Sequence, residues 1–231
     1  MTYVQLVYGA HTCQSMAVNS IYAVGSNYGL HIQEMGGERP EAPVVFTKPA
    51  TAISTGGTPL NYPQHTRCLH HEVEMVLLVG RELWQATPEA AQAAILGVGV
   101  GLDLTLRDIQ SEAKAKGRPW DIAKGFRGSA PVSAFLPVDA FTNLQDLDLS
   151  LEVNQQLRQR GNTAQMLFSP GEILSYLSRF FLLRQGDLVF TGTPEGVGEL
   201  LPGDVAVARL HEGADEKARL HLDIQGSLPR N

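Results

Sequence analysis

The sequence predicts an α+β fold that is mainly β, with a few short helices. Apolar and β-branched residues occur in short runs that Gly and Pro interrupt, and the 231 residues include 23 Gly and 13 Pro. This pattern is typical of many turns and short strands. Helix signals occur in only a few places. The length and the 43% hydrophobic content suit one domain over residues 1–231, whose first part, to about residue 45, holds N-terminal strands and a lid segment.

Composition argues against several classes of partner. The formal net charge is −6 and the isoelectric point is near 5.6, whereas nucleic acids and anionic membranes attract basic surfaces. No apolar run reaches the ~20 residues of a membrane-spanning helix. Cys13 and Cys68 form no spaced ligand set, and the first residues resemble a strand more than a signal peptide. We therefore expect a cytoplasmic protein without nucleic-acid or membrane partners.

The N-terminal part combines two short predicted strands within residues 1–24 with a glycine-bracketed segment at 25–40. His31 and Glu34 stand three residues apart in that segment, so one helical turn would bring the imidazole and the carboxylate together. A carboxylate orients such a ring and raises its basicity, and flanking glycines are typical of a lid. Taken alone, so short a motif also fits an ordinary surface pair. Further on, Lys48 before Pro49 either points into a site or is solvated.

Two glutamates begin the next predicted strand. Apolar residues run from Val73 to Val79 and Gly80 ends them. Because side chains alternate along a strand, Glu72 and Glu74 share a face, about 7 Å apart. A divalent cation such as Mg²⁺ or Mn²⁺ would relieve the repulsion between the two carboxylates. The alternative is a solvated Glu-x-Glu edge strand.

A second buried strand is predicted at 96–106. Its alternating glycines, Gly97, Gly99 and Gly101, leave one face bare, so another backbone or a ligand must approach closely there. By the same alternation Asp103 lies on that face. A lone Asp in an apolar strand must be paired or bind metal, which makes it the natural third carboxylate beside Glu72 and Glu74.

Capping signals predict three helices. Thr87 and Pro88 open one that runs to Ile95, and Ser169 and Pro170 open another with Phe180 on its apolar stripe. Residues 107–117 form the third, ending at Gly117, with Arg107 and Gln110 on one side of its first turn. Lys124, which follows among small and apolar residues, either faces the carboxylates or is solvated.

The remaining half of the chain is predicted to be mainly scaffold. Strands are expected at 148–154, 188–191, near 205–210 and at 217–224, with a hairpin turn at 155–156. The glycines of residues 191–198, Thr-Gly-Thr-Pro-Glu-Gly-Val-Gly, leave backbone N–H groups that could cradle an anion or a carboxylate. A plain tight turn is the alternative.

Five motifs in this order resemble the fumarylacetoacetate hydrolase family, and most closely its acylpyruvate hydrolases and oxaloacetate decarboxylases. The similarity covers nearly the whole chain. The motifs are Gly25-x-Asn27-Tyr28-x-x-His31-x-x-Glu34, Leu69-His70-His71-Glu72-x-Glu74, Leu102-Asp103-x-Thr105-x-Arg107-Asp108-x-Gln110, Pro119-Trp120-x-x-x-Lys124-x-Phe126 and Thr191-Gly192-Thr193-Pro194-x-Gly196-Val197-Gly198. One departure is Ser26, where members of this subgroup often carry Arg, so the distal substrate pocket is expected to differ.

The resemblance implies a fold, a metal and a set of site residues. The fold is a mixed β-sandwich roll with peripheral helices, usually in a homodimer. Glu72, Glu74 and Asp103 would hold Mg²⁺ or Mn²⁺, and His31, Glu34 and Lys124 would be catalytic. Substrate contacts are implied for Arg107, Gln110, Gly192 and Thr193, at the α-keto acid end of the substrate.

Such a site predicts metal-dependent chemistry on a small keto acid. The leading hypothesis is hydrolysis of a C–C bond in a 2,4-diketo acid of the acylpyruvate or fumarylpyruvate type, giving pyruvate and a carboxylic acid, with water activated by His31. The alternative is oxaloacetate decarboxylation, or isomerisation or tautomerisation of a related keto acid. A third hypothesis, from another class, is a keto-acid binding protein without turnover.

Overall fold

The computed structural model describes residues 2–9 and 12–229, and its architecture is mainly β, as predicted. The strands are β1 (Thr2–Tyr8), β2 (Thr12–Val18), β3 (Ile21–Gly25), β4 (Val44–Lys48), β5 (Ile53–Thr55), β6 (Leu60–Asn61), β7 (Leu69–His71), β8 (Val73–Val79), β9 (Ile95–Leu102), β10 (Thr105–Leu106), β11 (Ala130–Val132), β12 (Leu136–Pro137), β13 (Asp148–Val153), β14 (Gln156–Asn162), β15 (Leu188–Phe190), β16 (Gly198–Leu200), β17 (Val205–Glu212) and β18 (Asp215–Gln225).

Short helices flank these strands. They are α1 (Gly29–Glu34), α2 (Pro88–Gln92), α3 (Arg107–Ala115), α4 (Asp121–Lys124) and α5 (Pro170–Ser178). The capping signals are confirmed at both predicted N-caps, since the Thr87 and Ser169 hydroxyls accept hydrogen bonds from backbone N–H groups three residues on. Within the described residues, no helix is long and apolar enough to cross a membrane.

The largest sheet has the strand order β4-β3-β15-β8-β9-β11-β5, and β12 pairs with the far end of β9. Strand β8 lies at its centre, antiparallel to both β9 and β15. A second sheet of order β14-β13-β17-β18-β6 packs across it, and β7 joins β10 and β16 in a small third sheet. The protein is therefore built from curled, layered sheets with its helices outside them.

Both faces of β8 are buried, which explains its nearly continuous apolar run. Its odd-numbered residues, Val73 to Val79, pack into the large core shared with β13, β17, β18 and α5. Val76 and Leu78 pack on the opposite face with residues of the β1–β2 hairpin and β15. Glu74 lies on that second face by alternation, so a carboxylate enters an otherwise apolar layer.

The bare glycine face of β9 is where other groups approach closely. A Cβ at Gly97 would lie 3.0 Å from the Leu136 carbonyl oxygen, and one at Gly99 would lie 2.9 Å from the Ser133 hydroxyl. Gly101 pairs directly with Glu74 across the β8–β9 ladder. The absence of a side chain at Gly101 therefore leaves room on the face that carries the Glu74 carboxylate.

Several predicted boundaries were wrong. The N-terminal part holds three strands, not two, although residues 1, 10 and 11 of the predicted segment lie outside the described residues. The helix at 88–95 ends at Gln92, because Ile95 joins β9 opposite Val79. The strand at 96–106 is interrupted after Leu102, and Asp103 lies in that break. Helix α5 ends at Ser178, and Phe180 beyond it is exposed.

The glycine face generates a stability prediction. In Gly101→Ala, the new methyl group would lie 2.9 Å from both Phe190 Cε1 and Val76 Cγ2, and 3.1 Å from the Pro131 carbonyl oxygen. Overpacking of this kind should lower the free energy of unfolding by about 1–3 kcal/mol, measured by urea denaturation. In the control Gly56→Ala, no atom lies within 4 Å of the new methyl group, and we expect a change within about 0.5 kcal/mol. Equal stabilities of the two variants would contradict the close approach.

Candidate metal centre and active site

Three buried carboxylates converge where two strand pairs are interrupted. Glu72 lies between β7 and β8, Asp103 lies between β9 and β10, and Glu74 lies in β8. The Asp103 backbone N–H donates to the Glu72 carbonyl at 2.8 Å, which joins the two breaks. One carboxylate oxygen of each residue lies within 4.8 Å of the others, and none of the three residues is more than 5% exposed. The structure thus brings together all three predicted metal ligands.

Two lysines and an arginine balance these carboxylates. Lys124, at the end of α4, donates to Glu72 Oε2 at 2.8 Å and to Asp103 Oδ2 at 2.6 Å. Arg107, the first residue of α3, donates from Nη2 to Glu72 Oε1 at 2.5 Å. Lys48 Nζ lies 2.6 Å from Asp103 Oδ1. These contacts form a continuous ionic network, Lys48–Asp103–Lys124–Glu72–Arg107, and Lys124 is buried, not solvated.

The pKa directions of the two glutamates differ because their neighbours differ. Burial alone would raise the pKa of Glu72, but the charges of Lys124 and Arg107 outweigh burial and hold this pKa well below its usual range. Burial raises the pKa of Glu74, and the negative charges of Asp103 and Glu72 raise it further. The only hydrogen bond that Glu74 receives among the described residues comes from the Gly192 backbone N–H, at 2.7 Å. Glu74 is thus the least compensated carboxylate.

The donor set fits a hard divalent cation. Mg²⁺ and Mn²⁺ prefer carboxylate oxygens, and three of these face one point here. Asp103 Oδ1 is buried and is contacted by Lys48 Nζ in the ion pair at 2.6 Å. A bound cation would relieve the repulsion at Glu74, which receives only a backbone N–H among the described residues. The residues therefore could hold a divalent metal without rearranging the backbone.

Helix α1, in the segment predicted to be a lid, lies beside this cluster. The Asn27 side chain anchors its base, donating to the Thr191 carbonyl at 2.8 Å and accepting from the Phe168 backbone N–H at 2.8 Å. His31 Nδ1 lies 3.1 Å from Glu34 Oε2, so the predicted pairing of these side chains is present. The Gly196 backbone N–H also donates to the Glu34 carboxylate, at 3.1 and 3.2 Å. The 191–198 turn therefore cradles two of the protein's own carboxylates, Glu74 and Glu34.

A cavity of about 120 Å³ lies between the lid, α3 and the ionic network. It is lined by Gly25, Ser26, His31, Ile32, Met35, Gly37, Phe46, Glu72, Arg107, Gln110, Lys114, Trp120 and Lys124. Arg107 Nη1 donates to Gln110 Oε1 at 2.7 Å, which leaves the Gln110 amide N–H₂ as a donor. The lining thus includes one member of the predicted dyad, one metal ligand and three predicted substrate or catalytic residues, Arg107, Gln110 and Lys124.

Two predicted substrate contacts lie outside this lining. The Thr193 hydroxyl accepts a hydrogen bond from Gln159 Nε2 at 2.8 Å, and Thr193 is 3% exposed. Gln159 in turn contacts His71 Nδ1 at 2.9 Å through its Oε1. The Gly192 N–H is engaged by Glu74, as described above. Thr193 and Gly192 therefore contact the protein's own side chains, Gln159 and Glu74, and do not line the cavity.

Lys48 is the main site residue that sequence reasoning left out. It is 2% exposed and donates to the Ser129 carbonyl at 3.0 Å and to the backbone carbonyl of Lys124. Burial lowers its pKa, although the charge of Asp103 acts in the opposite direction. The available signal was a lysine at the end of an apolar strand and before Pro49, which is equally compatible with a solvated side chain.

Known proteins resemble this chain over most of its length. The family model described as fumarylacetoacetate (FAA) hydrolase C-terminal matches residues 20–221. An oxaloacetate tautomerase from Escherichia coli (strain K12) is 49% identical over 81% of this chain and 86% of that protein. A mitochondrial oxaloacetate decarboxylase from Dictyostelium discoideum is 40% identical over 80% of this chain and 85% of that one. The crystal structure of a Pseudomonas aeruginosa fumarylpyruvate hydrolase, in complex with Mn²⁺ and pyruvate, has a TM-score of 0.88 at 38% identity and 97% coverage of both chains.

The uneven compensation of the carboxylates generates a metal-binding prediction for Glu74→Gln. In EDTA this variant should be at least as stable as the wild type, because it removes a repelled buried charge and keeps an acceptor for the Gly192 N–H. Adding Mn²⁺ at 100 times the wild-type Kd should stabilise the wild type by about 2.7 kcal/mol and the variant far less, measured by thermal unfolding.

Asp187→Asn serves as the matched control. Asp187 is a buried carboxylate outside the cluster that accepts from the Ser20 and Arg184 backbone N–H groups. This variant should keep the full response to Mn²⁺ even if its baseline stability falls. Equal stabilisation of Glu74→Gln and the wild type by Mn²⁺ would remove Glu74 from the ligand set.

Proposed function

The chain belongs to the fumarylacetoacetate hydrolase family, and we propose that it interconverts the keto and enol forms of a small 2-keto acid, with oxaloacetate as the substrate to test. The observation that carries this proposal is the small cavity bounded by His31, Lys124 and Glu72. It places an imidazole and three cations, Arg107, Lys114 and Lys124, around a volume close to the buried carboxylates. Relatives named for oxaloacetate chemistry match about four-fifths of this chain, which supports the same substrate class.

The cavity volume favours a small substrate. Sites for drug-sized ligands usually occupy about 300–1,000 Å³, whereas this cavity is about 120 Å³ with the lid helix in place. The cavity beside α1 is thus smaller than these sites. A four-carbon keto acid fits this limit better than a long acylpyruvate.

His31 is the proposed proton carrier. Its Nδ1 is held by Glu34, so Nε2 is the ring nitrogen left to exchange a proton with the substrate. In the keto-to-enol direction the proton leaves C3 for Nε2 and the C2–C3 double bond forms; the imidazolium then gives this same proton from Nε2 to the enolate oxygen at C2. The reverse direction takes the proton from that hydroxyl and returns it to C3, so atoms and charge balance without a co-reactant. Closure of α1 keeps bulk water away from the carbanion-like transition state.

Lys124 and Gln110 are placed to hold the oxygens of the keto-acid end. An ammonium group has three N–H donors, and Lys124 uses two of them on Glu72 and Asp103. The third can donate to the 2-oxo oxygen, where negative charge develops during enolisation. The free Gln110 N–H₂ can donate to the C1 carboxylate. A Mg²⁺ or Mn²⁺ ion held by Glu72, Glu74 and Asp103 would supply Lewis-acid stabilisation of the same developing charge.

Hydrolysis of a C–C bond in a 2,4-diketo acid is the second candidate. The likeness to a fumarylpyruvate hydrolase over 97% of both chains favours it. The same His31 would then take a proton from water, and the attack of that water on the distal carbonyl would break the bond to C3. Hydrolysis needs space for both the water and the distal acyl group. The enolising reaction needs neither, and it is the one that the closed cavity supports better.

The assigned role of His31 generates a kinetic prediction. In His31→Ala, oxaloacetate keto–enol interconversion should slow by about 10²- to 10⁴-fold, because the positioned proton carrier is lost. Mn²⁺ affinity should stay near the wild-type value, because His31 is not one of the three predicted metal ligands. The rate is measured from the enol absorbance and the affinity by calorimetry.

The control for this variant is His221→Ala, which removes an exposed histidine paired with Asp223 on β18. It should change neither quantity. Loss of Mn²⁺ binding and of turnover in equal measure in His31→Ala would assign His31 to the metal site instead of proton transfer. An unchanged enol rate would refute the proton-carrier role.

A further inference from the structure

One cation on the cavity lining has no role in the chemistry described above. Helix α3 carries Arg107, Gln110 and Lys114 at positions i, i+3 and i+7, which lie along one face of a helix. All three residues line the cavity. Arg107 and Gln110 are engaged with each other and, through Arg107, with Glu72. Lys114 lies one turn further along the helix, at the side of the cavity away from the carboxylates' ionic network.

Lys114 is held in place by an aromatic side chain instead of a carboxylate. Its Nζ lies 5.0 Å from the centroid of the Trp120 ring, and Trp120 packs against Phe46, with ring centroids 5.9 Å apart. Among the described residues Lys114 has no ion-pair partner. By contrast, Arg107 and Lys124 are both committed to the buried carboxylates. Lys114 is therefore the lysine of this lining whose charge is still free to bind an anion.

The surroundings of Lys114 favour an incoming anion. Lys114 is exposed as a whole residue, but partial burial lowers its pKa, and the neighbouring positive charge of Arg107 lowers this pKa further. The bound anion would lie between two cations that otherwise repel each other. A cation held over an aromatic face also loses little side-chain entropy on binding, since its position is already restricted.

Resting on the proposed function, we propose that Lys114 binds the distal carboxylate of a four-carbon dicarboxylic keto acid and so determines substrate class. With the keto-acid end at Gln110 and Lys124, the distal group lies toward Lys114. Gln110 and Lys114 stand four residues apart, and such side chains have Cβ atoms about 5–6 Å apart. That separation is comparable with the span of a four-carbon diacid.

The competing occupant of this side of the cavity is an apolar acyl chain. Phe46, Trp120, Ile32 and Met35 would offer it an apolar wall. The position of the Lys114 ammonium over the Trp120 ring argues against that occupant, because an alkyl group there would displace or desolvate the charge. The two occupants predict opposite preferences for a distal carboxylate and a distal methyl group, which makes the proposal testable.

The experiment compares two unreactive probes on the Mn²⁺-loaded protein by calorimetry. Malate carries the distal carboxylate, and 2-hydroxybutyrate has the same four carbons with a methyl group in its place. We expect the wild type to prefer malate, and Lys114→Met to lose about tenfold or more of its malate affinity with little change for 2-hydroxybutyrate. In parallel, kcat/KM for oxaloacetate should fall mainly through KM, while the rate on its 4-methyl ester, whose distal group is uncharged, should be retained.

Lys116→Met is the matched control. Lys116 lies just beyond α3, pairs with the exposed Glu112 and does not line the cavity. This variant should bind both probes like the wild type. Equal loss of both probes in Lys114→Met, or no loss of malate, would overturn the proposal. Probe binding needs no turnover, so the two proposals can fail separately. A protein that prefers malate through Lys114 but leaves oxaloacetate unchanged would refute the proposed function and would keep Lys114 as the carboxylate-binding residue.

Discussion

The buried ionic network is the constraint on which the site depends. Three carboxylates at the centre of a β protein would not be tolerated without compensation, since an isolated buried charge costs several kcal/mol. Lys48, Lys124 and Arg107 supply that compensation in a continuous chain of contacts. The compensation is uneven, because Glu74 receives only a backbone N–H. This unevenness is the reason why the three carboxylates could hold a divalent cation.

The sheets supply the geometry of this network. The strands are interrupted after His71 and after Leu102. The residues in these two breaks, Glu72 and Asp103, lie next to each other, joined by a backbone hydrogen bond. The strand residue opposite Glu74 is Gly101, whose missing side chain leaves room for Phe190 and Val76 on the face that carries this carboxylate. The 191–198 turn contacts two parts of the site, since Gly192 donates to Glu74 and Gly196 donates to Glu34 in α1. A single turn thereby contacts both the predicted lid segment and one of the predicted metal ligands.

Much of this arrangement could be predicted from the sequence because it depends on local patterns. Alternation along a strand predicted Glu72 and Glu74 to lie together, although Glu72 lies in a break before β8, and the lone Asp103 in an apolar run required a partner. Long-range contacts could not be predicted in the same way. Lys48 reaches Asp103 across 55 residues of chain, and no spacing rule separates such a lysine from a solvated one. The break at Asp103 was also missed, because an apolar run does not reveal where its hydrogen-bond ladder stops.

The most direct test of the central claim is a paired turnover assay of the purified protein. Oxaloacetate and a short acylpyruvate are compared, each with Mg²⁺ and each with EDTA. We expect Mg²⁺-dependent keto–enol conversion of oxaloacetate that EDTA abolishes, with a much lower kcat/KM for acylpyruvate cleavage. Faster Mg²⁺-dependent release of pyruvate and the short acid from the acylpyruvate would contradict it and would assign hydrolysis. Oxaloacetate turnover that EDTA leaves unchanged would contradict the role of the metal centre.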